Sequence, residues 1–84
     1  MNELESLKKK IIYRANYRGT KEMDILLSKF VDKYINTLSK EELEDLFEFL
    51  NYEDEIIYNF YLSKNGNKII KKNQISEIFK KFKL

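Results

Sequence analysis

The sequence predicts an all-α fold: a small antiparallel helix bundle of four helices plus a basic C-terminal helix. Three observations carry that prediction. Apolar residues recur at helical spacing along most of the chain. With no Pro and two Gly, little interrupts a helix. Cap-forming residues, Thr20, Ser39 and Asn73, stand just ahead of periodic segments. At 84 residues there is room for one domain. Residues 1–62 are expected to form the bundle, and 63–84 a basic helix or tail in the same domain or appended to it. A 43% hydrophobic content with six Phe and six Tyr suffices for a small core.

Leu4, Leu7, Ile11 and Ala15 place the first helix at about 3–17, with Lys8, Lys9, Lys10 and Arg14 between them. Tyr13 and Tyr17 lie four apart on a neighbouring face. Gly19 breaks the pattern. The second helix follows Thr20, with a stripe of Met23, Leu26, Leu27, Phe30, Val31, Tyr34, Ile35 and Leu38. Ser39-Lys40-Glu41-Glu42 reads as a capping box opening the third helix. Its expected buried stripe is Leu43, Leu46, Phe47 and Leu50. Asn51 or Tyr52 turns into the fourth helix, whose first turn holds Glu53, Asp54 and Glu55, where the helix dipole favours negative charge. Ile57, Phe60 and Tyr61 are expected to face inward, and Ser63 to Asn67, with Gly66, to end the helix. Asn73 caps a last helix with the stripe Ile75, Ile78, Phe79 and Phe82, which either docks on the bundle or projects from it.

Composition removes several chemistries. The chain has no Cys and no His, so disulfides, Cys/His zinc sites, Cys nucleophiles and His bases are excluded. A self-sufficient enzyme is not expected, and no Gly-rich phosphate loop or dinucleotide fingerprint is present. The acidic run Glu41, Glu42, Glu44, Asp45, Glu48, Glu53, Asp54 and Glu55 lacks calcium-loop spacing and reads as helix starts and solvated faces. No metal site is expected. From Lys64 to Leu84 there are seven Lys and one Glu, 7 − 1 = +6, either a nucleic-acid contact or the polar face of an amphipathic helix. Tyr52, Tyr58 and Tyr61 read as half-buried packing residues with hydroxyls in water. The N-terminus starts acidic, Met1-Asn2-Glu3-Leu4-Glu5, without an apolar core of a signal. No apolar run reaches the roughly 20 residues that span a bilayer. A cytoplasmic location without membrane insertion is therefore expected.

The most specific stretch is Arg18-Gly19-Thr20-Lys21-Glu22. Local helix chemistry accounts for every residue in it. Arg18 suits the end of the first helix, Gly19 a left-handed C′ position, Thr20 the next cap and Glu22 the first turn of the second helix. The alternative is a charged surface beside a residue with no side chain, suited to docking a partner.

Arg18-Gly19-x-x-Glu22 followed by Met23-Asp24-Ile25-Leu26-Leu27 resembles the signature of the FAD assembly factors of succinate dehydrogenase, the SdhE family. The resemblance runs from about Ile11 to Leu62 and includes Phe30, Tyr34, Leu38-Ser39-x-x-Glu42, Leu50, Glu53-Asp54 and Tyr58-Asn59-Phe60. The chain departs from it at Tyr17, where many relatives have a basic residue, at Thr20, often Met, and at Phe60, commonly Trp. The resemblance implies a chaperone-like assembly factor, not an enzyme. Its partner would be the flavoprotein subunit of succinate dehydrogenase or fumarate reductase, whose own His takes the covalent FAD. The chain would bind no cofactor itself, and no nucleic acid is expected. The implied partner-binding residues are Tyr17, Arg18, Gly19, Glu22 and Asp24. In that reading Gly19 admits a close approach by the partner. Two alternatives stand beside it: a small nucleic-acid-binding or regulatory protein acting through the basic tail, and a generic adaptor.

Overall fold

In the computed structural model, residues 2–63 and 69–84 are described. They form five helices: α1 Glu3–Asn16, α2 Lys21–Tyr34, α3 Lys40–Leu50, α4 Asp54–Leu62 and α5 Gln74–Lys81. No strand occurs among the described residues.

Local chemistry starts most of them. The Asn2 side chain accepts the Glu5 amide at 2.8 Å, and Thr20 Oγ1 accepts the Met23 amide at 3.2 Å. Ser39 and Glu42 form the expected capping box: Ser39 Oγ accepts from Glu42 N, and Glu42 Oε1 accepts from Ser39 N. Asn73 and Ser76 make a second such box at α5. It satisfies Ser76, which is a buried polar side chain. Glu53, ahead of α4, makes no side-chain cap bond.

α1 packs against both α2 and α3. Lys8 Nζ donates to Asn36 Oδ1 near the far end of α2, so α1 and α2 are antiparallel. Lys40 pairs with Glu3 at one end of α1 and α3, and Arg14 lies over the Phe47 ring further along, so these two run parallel. α5 packs on α3 and α4. The C-terminal helix thus docks rather than projects.

Docking changes two details of the expected core. Phe49, not Phe47, is the buried aromatic of α3, and Phe47 is half-buried beneath Arg14. Phe47 meets Arg14 of α1. α5 covers a second side of α3, and Phe49 turns toward it, 4.9 Å from the Phe79 ring centre. Tyr61 also differs from expectation, because its hydroxyl donates to Phe82 O at 2.7 Å instead of facing water. Tyr52 lies in the turn before α4, and its hydroxyl accepts from Lys71 N and donates to Ile69 O.

Boundaries shift slightly. α1 ends at Asn16, with Tyr17 as C-cap. α2 ends at Tyr34, where the Thr37 amide bonds the Tyr34 carbonyl and tightens the chain, while Leu38 still packs on the core. α4 ends at Leu62 with Ser63 as C-cap; the remainder of the expected helix stop, including Gly66 and Asn67, lies outside the described residues.

Candidate functional site

The loop between α1 and α2 is held by one carboxylate close in sequence, Asp24, and one distant, Asp54. Asp24 Oδ1 accepts the Arg18 amide at 2.6 Å, and Asp54 Oδ2 accepts the Gly19 amide at 2.7 Å. The Arg18 side chain turns inward and is 7% exposed. Its Nε donates to Asp54 Oδ1 at 2.6 Å, Nη1 to Leu50 O at 2.8 Å and Arg14 O at 3.2 Å, and Nη2 to Tyr52 O at 2.9 Å. One guanidinium thereby supplies donors to the carbonyl ends of α1 and α3, where a cation is electrostatically favoured. Its planar fork serves several acceptors at once, with Asp54 balancing the charge.

Arg18 therefore serves the end of α1, as its place in the sequence suggests, and its charge turns inward rather than onto the charged surface of the alternative reading. The chain leaves α1 two residues before Arg18, which lets the side chain fold back under the loop. Gly19 differs from expectation. Its φ lies outside the left-handed region, so it is no C′ residue of α1. A Cβ built there lies 3.2 Å from Asp54 Oδ2, a crowded approach.

The solvent-exposed members are Tyr17, Gly19 and Glu22. Tyr17 is 72% exposed and stacks on Tyr13 with ring centres 4.5 Å apart. Glu22 is exposed in the first turn of α2. It lines an open groove of about 570 Å³ with Gly19, Thr20 and Met23 on the loop and α2 side. Asp54, Glu55 and Tyr58 of α4 form the opposite wall. Asp24 is partly buried against the loop and belongs to its bracing, not to its rim.

Asp54 is the site residue that sequence reasoning missed. It is one of eight acidic residues between 41 and 55, and its place in the resemblance, within Glu53-Asp54, gives it no role at the loop. Among the described residues no group of three His, Cys, Asp or Glu is placed to hold a metal ion. No helix among them is long and apolar enough to cross a membrane.

The family model described as "flavinator of succinate dehydrogenase" matches residues 9–83, which takes in α2 to α5, the loop and most of α1. The chain belongs to this flavinator family. Its relatives include proteins named succinate dehydrogenase assembly factor 2, mitochondrial. The one from Komagataella phaffii is 40% identical over 65 residues, covering 76% of this chain and 34% of the relative. That from Dictyostelium discoideum is 36% identical over 64 residues, covering 76% and 45%. That from Saccharomyces cerevisiae is 39% identical over 62 residues, covering 74% and 38%. The chain thus spans from about a third to under half the length of these relatives. No solved structure matches the chain.

Proposed function

We propose that this chain is an assembly factor that binds the flavoprotein subunit of succinate dehydrogenase, or of fumarate reductase, and promotes covalent attachment of FAD to that subunit. The observation that carries the reading is the flavinator match, which covers every residue lining the groove at the α1–α2 loop. In this reading the flavinator meets its partner through Tyr17, Glu22 and the groove that Gly19 lines, while Arg18 and Asp24 hold the loop from within.

The chain has no His and no Cys, and in this reading the covalent step belongs to the partner's own residues. What a rigid surface contributes is orientation: it holds the partner in a geometry in which its groups react. The acidic side chains Glu22 and Glu55 on the two walls favour a basic patch on the partner. The proposal keeps the cytoplasmic location expected from the sequence. The three relatives are named mitochondrial, and fractionation of the source cell decides between the compartments.

Co-expression with a flavoprotein subunit tests the reading. In-gel flavin fluorescence of the denatured subunit should rise when the chain is present. Unchanged fluorescence alongside a folded chain would overturn it. Glu22 is exposed in a helix first turn, so Glu22→Ala should change stability by less than about 1 kcal/mol. The same variant should lose the fluorescence gain. A large melting shift, with the flavin signal falling only in proportion, would make Glu22 a structural residue instead.

A further inference from the structure

One carboxylate, Asp54, holds both the backbone and the side chain of the motif loop. Oδ2 takes the Gly19 amide at 2.7 Å, and Oδ1 takes Arg18 Nε at 2.6 Å. Asp54 itself is anchored in the first turn of α4, in a chain segment 35 residues from Gly19. The loop and α4 form the two walls of the groove, so the bond between them sets the groove's width. Gly19 has no left-handed φ to explain why glycine stands there. The one crowding contact for a Cβ at this position is Asp54 Oδ2 at 3.2 Å, which lies within the same molecule.

We propose that Asp54 is the positioning residue of the docking surface, and that glycine at 19 is required by the Asp54 carboxylate rather than by the approach of the partner. The functional half of this inference rests on the docking role proposed above. A methyl group at 19 pushes the carboxylate away from the loop. Both bonds to Asp54 then lengthen, and Glu22 loses its fixed spacing from Glu55 and Tyr58. The surface that meets the partner is accordingly built from two elements, and its shape is set by a contact within this chain.

The test uses the full chain in four forms beside the wild type: Asp54→Asn, Asp54→Ala, Gly19→Ala and the double variant Gly19→Ala/Asp54→Ala. The first readout needs no partner. Asn keeps the size of Asp but cannot accept both N–H groups on charged oxygens. The Gly19 amide of Asp54→Asn should therefore exchange with solvent about tenfold faster or more. An unchanged exchange rate would overturn the inference. The second readout is flavin fluorescence of the co-expressed flavoprotein subunit, normalised to folded chain. It should fall several-fold for Asp54→Asn, whereas a purely structural role would leave signal per folded chain constant and overturn the proposal.

The double variant then separates the two explanations of glycine. If Asp54 is what a methyl group at 19 meets, adding Gly19→Ala to Asp54→Ala costs little further signal. If the methyl group obstructs the partner, the two losses multiply, and the proposal fails. Should Asp54→Ala not fold, the Asp54→Asn measurements decide alone. A wild-type chain that raises no flavin signal while Asp54→Asn still frees the Gly19 amide would overturn the docking role and support the positioning of the loop.

Discussion

Arg18 places Nε, Nη1 and Nη2 on Asp54 Oδ1, Leu50 O and Tyr52 O, all within its own chain. A guanidinium this enclosed is stable because its charge and donors are matched. Lysine has one ammonium and no planar fork, so it cannot serve acceptors arranged around three nitrogens. Arg18→Lys should lower stability by about 1–3 kcal/mol through the acceptors it leaves unmatched. For a chain of this size that is a drop of roughly 4–8 °C in Tm per kcal/mol, read by thermal melting followed by circular dichroism. The position of the loop was legible in the sequence, because a glycine between two periodic segments marks a junction. The direction of its side chains was not. Arg18 reaches Leu50, Tyr52 and Asp54, which lie 32 to 36 residues further on. Helical periodicity says which residues share a face, but it carries no information about which carbonyl ends a loop folds over.

At the level of elements, the starts of α2, α3 and α5 were readable because a cap acts over three residues. Thr20, Ser39 and Asn73 each accept from the amide three positions on, as the sequence pattern implies. The inner faces of α1 and α2 were readable, with Ile11, Ala15, Leu26, Leu27 and Phe30 buried as expected, but that of α3 only in part. α3 has α1 on one side and α5 on another, so Phe49 is buried and Phe47 is left at the edge. The periodic stripe could not announce that second neighbour, because the sequence left open whether α5 docks. α5 has eight residues, too few to hold as an isolated helix, so its cap and its docking act together. Asn73→Ala removes one side of the Asn73–Ser76 box and also leaves the buried Ser76 amide without its partner. The expected cost is about 1 kcal/mol. Hydrogen exchange should localise it: faster exchange in α5, with amides of α1 unchanged. Uniform acceleration through the whole chain would mean that α5 has no separate opening.

The whole molecule closes around Phe79. Its ring lies 5.0 Å from Phe30 of α2, 4.9 Å from Phe49 of α3 and 5.1 Å from Tyr61 of α4. Phe82 adds a further ring against Phe30 at 5.3 Å. A chain of this length has a stability of only about 4–13 kcal/mol. Phe79→Ala should remove about 3–5 kcal/mol of it, and thermal melting should show a much lower and broader transition. The consequence reaches the question of the basic tail. Phe79 and Phe82 are buried in the core and are not free to stack on bases. Deleting the tail would remove them along with the lysines, so loss of any activity would report an opened core rather than a lost contact. Charge must be changed without touching the apolar face. Lys72, Lys81 and Lys83 are exposed, and replacing all three by Gln should shift stability by no more than about 0.5 kcal/mol per site. If the chain acts through its α1–α2 loop, flavin fluorescence of the partner subunit stays at the wild-type level in this variant. If the chain instead binds nucleic acid, the same variant shows weakened binding and a shallower salt dependence, because fewer counterions are released on contact.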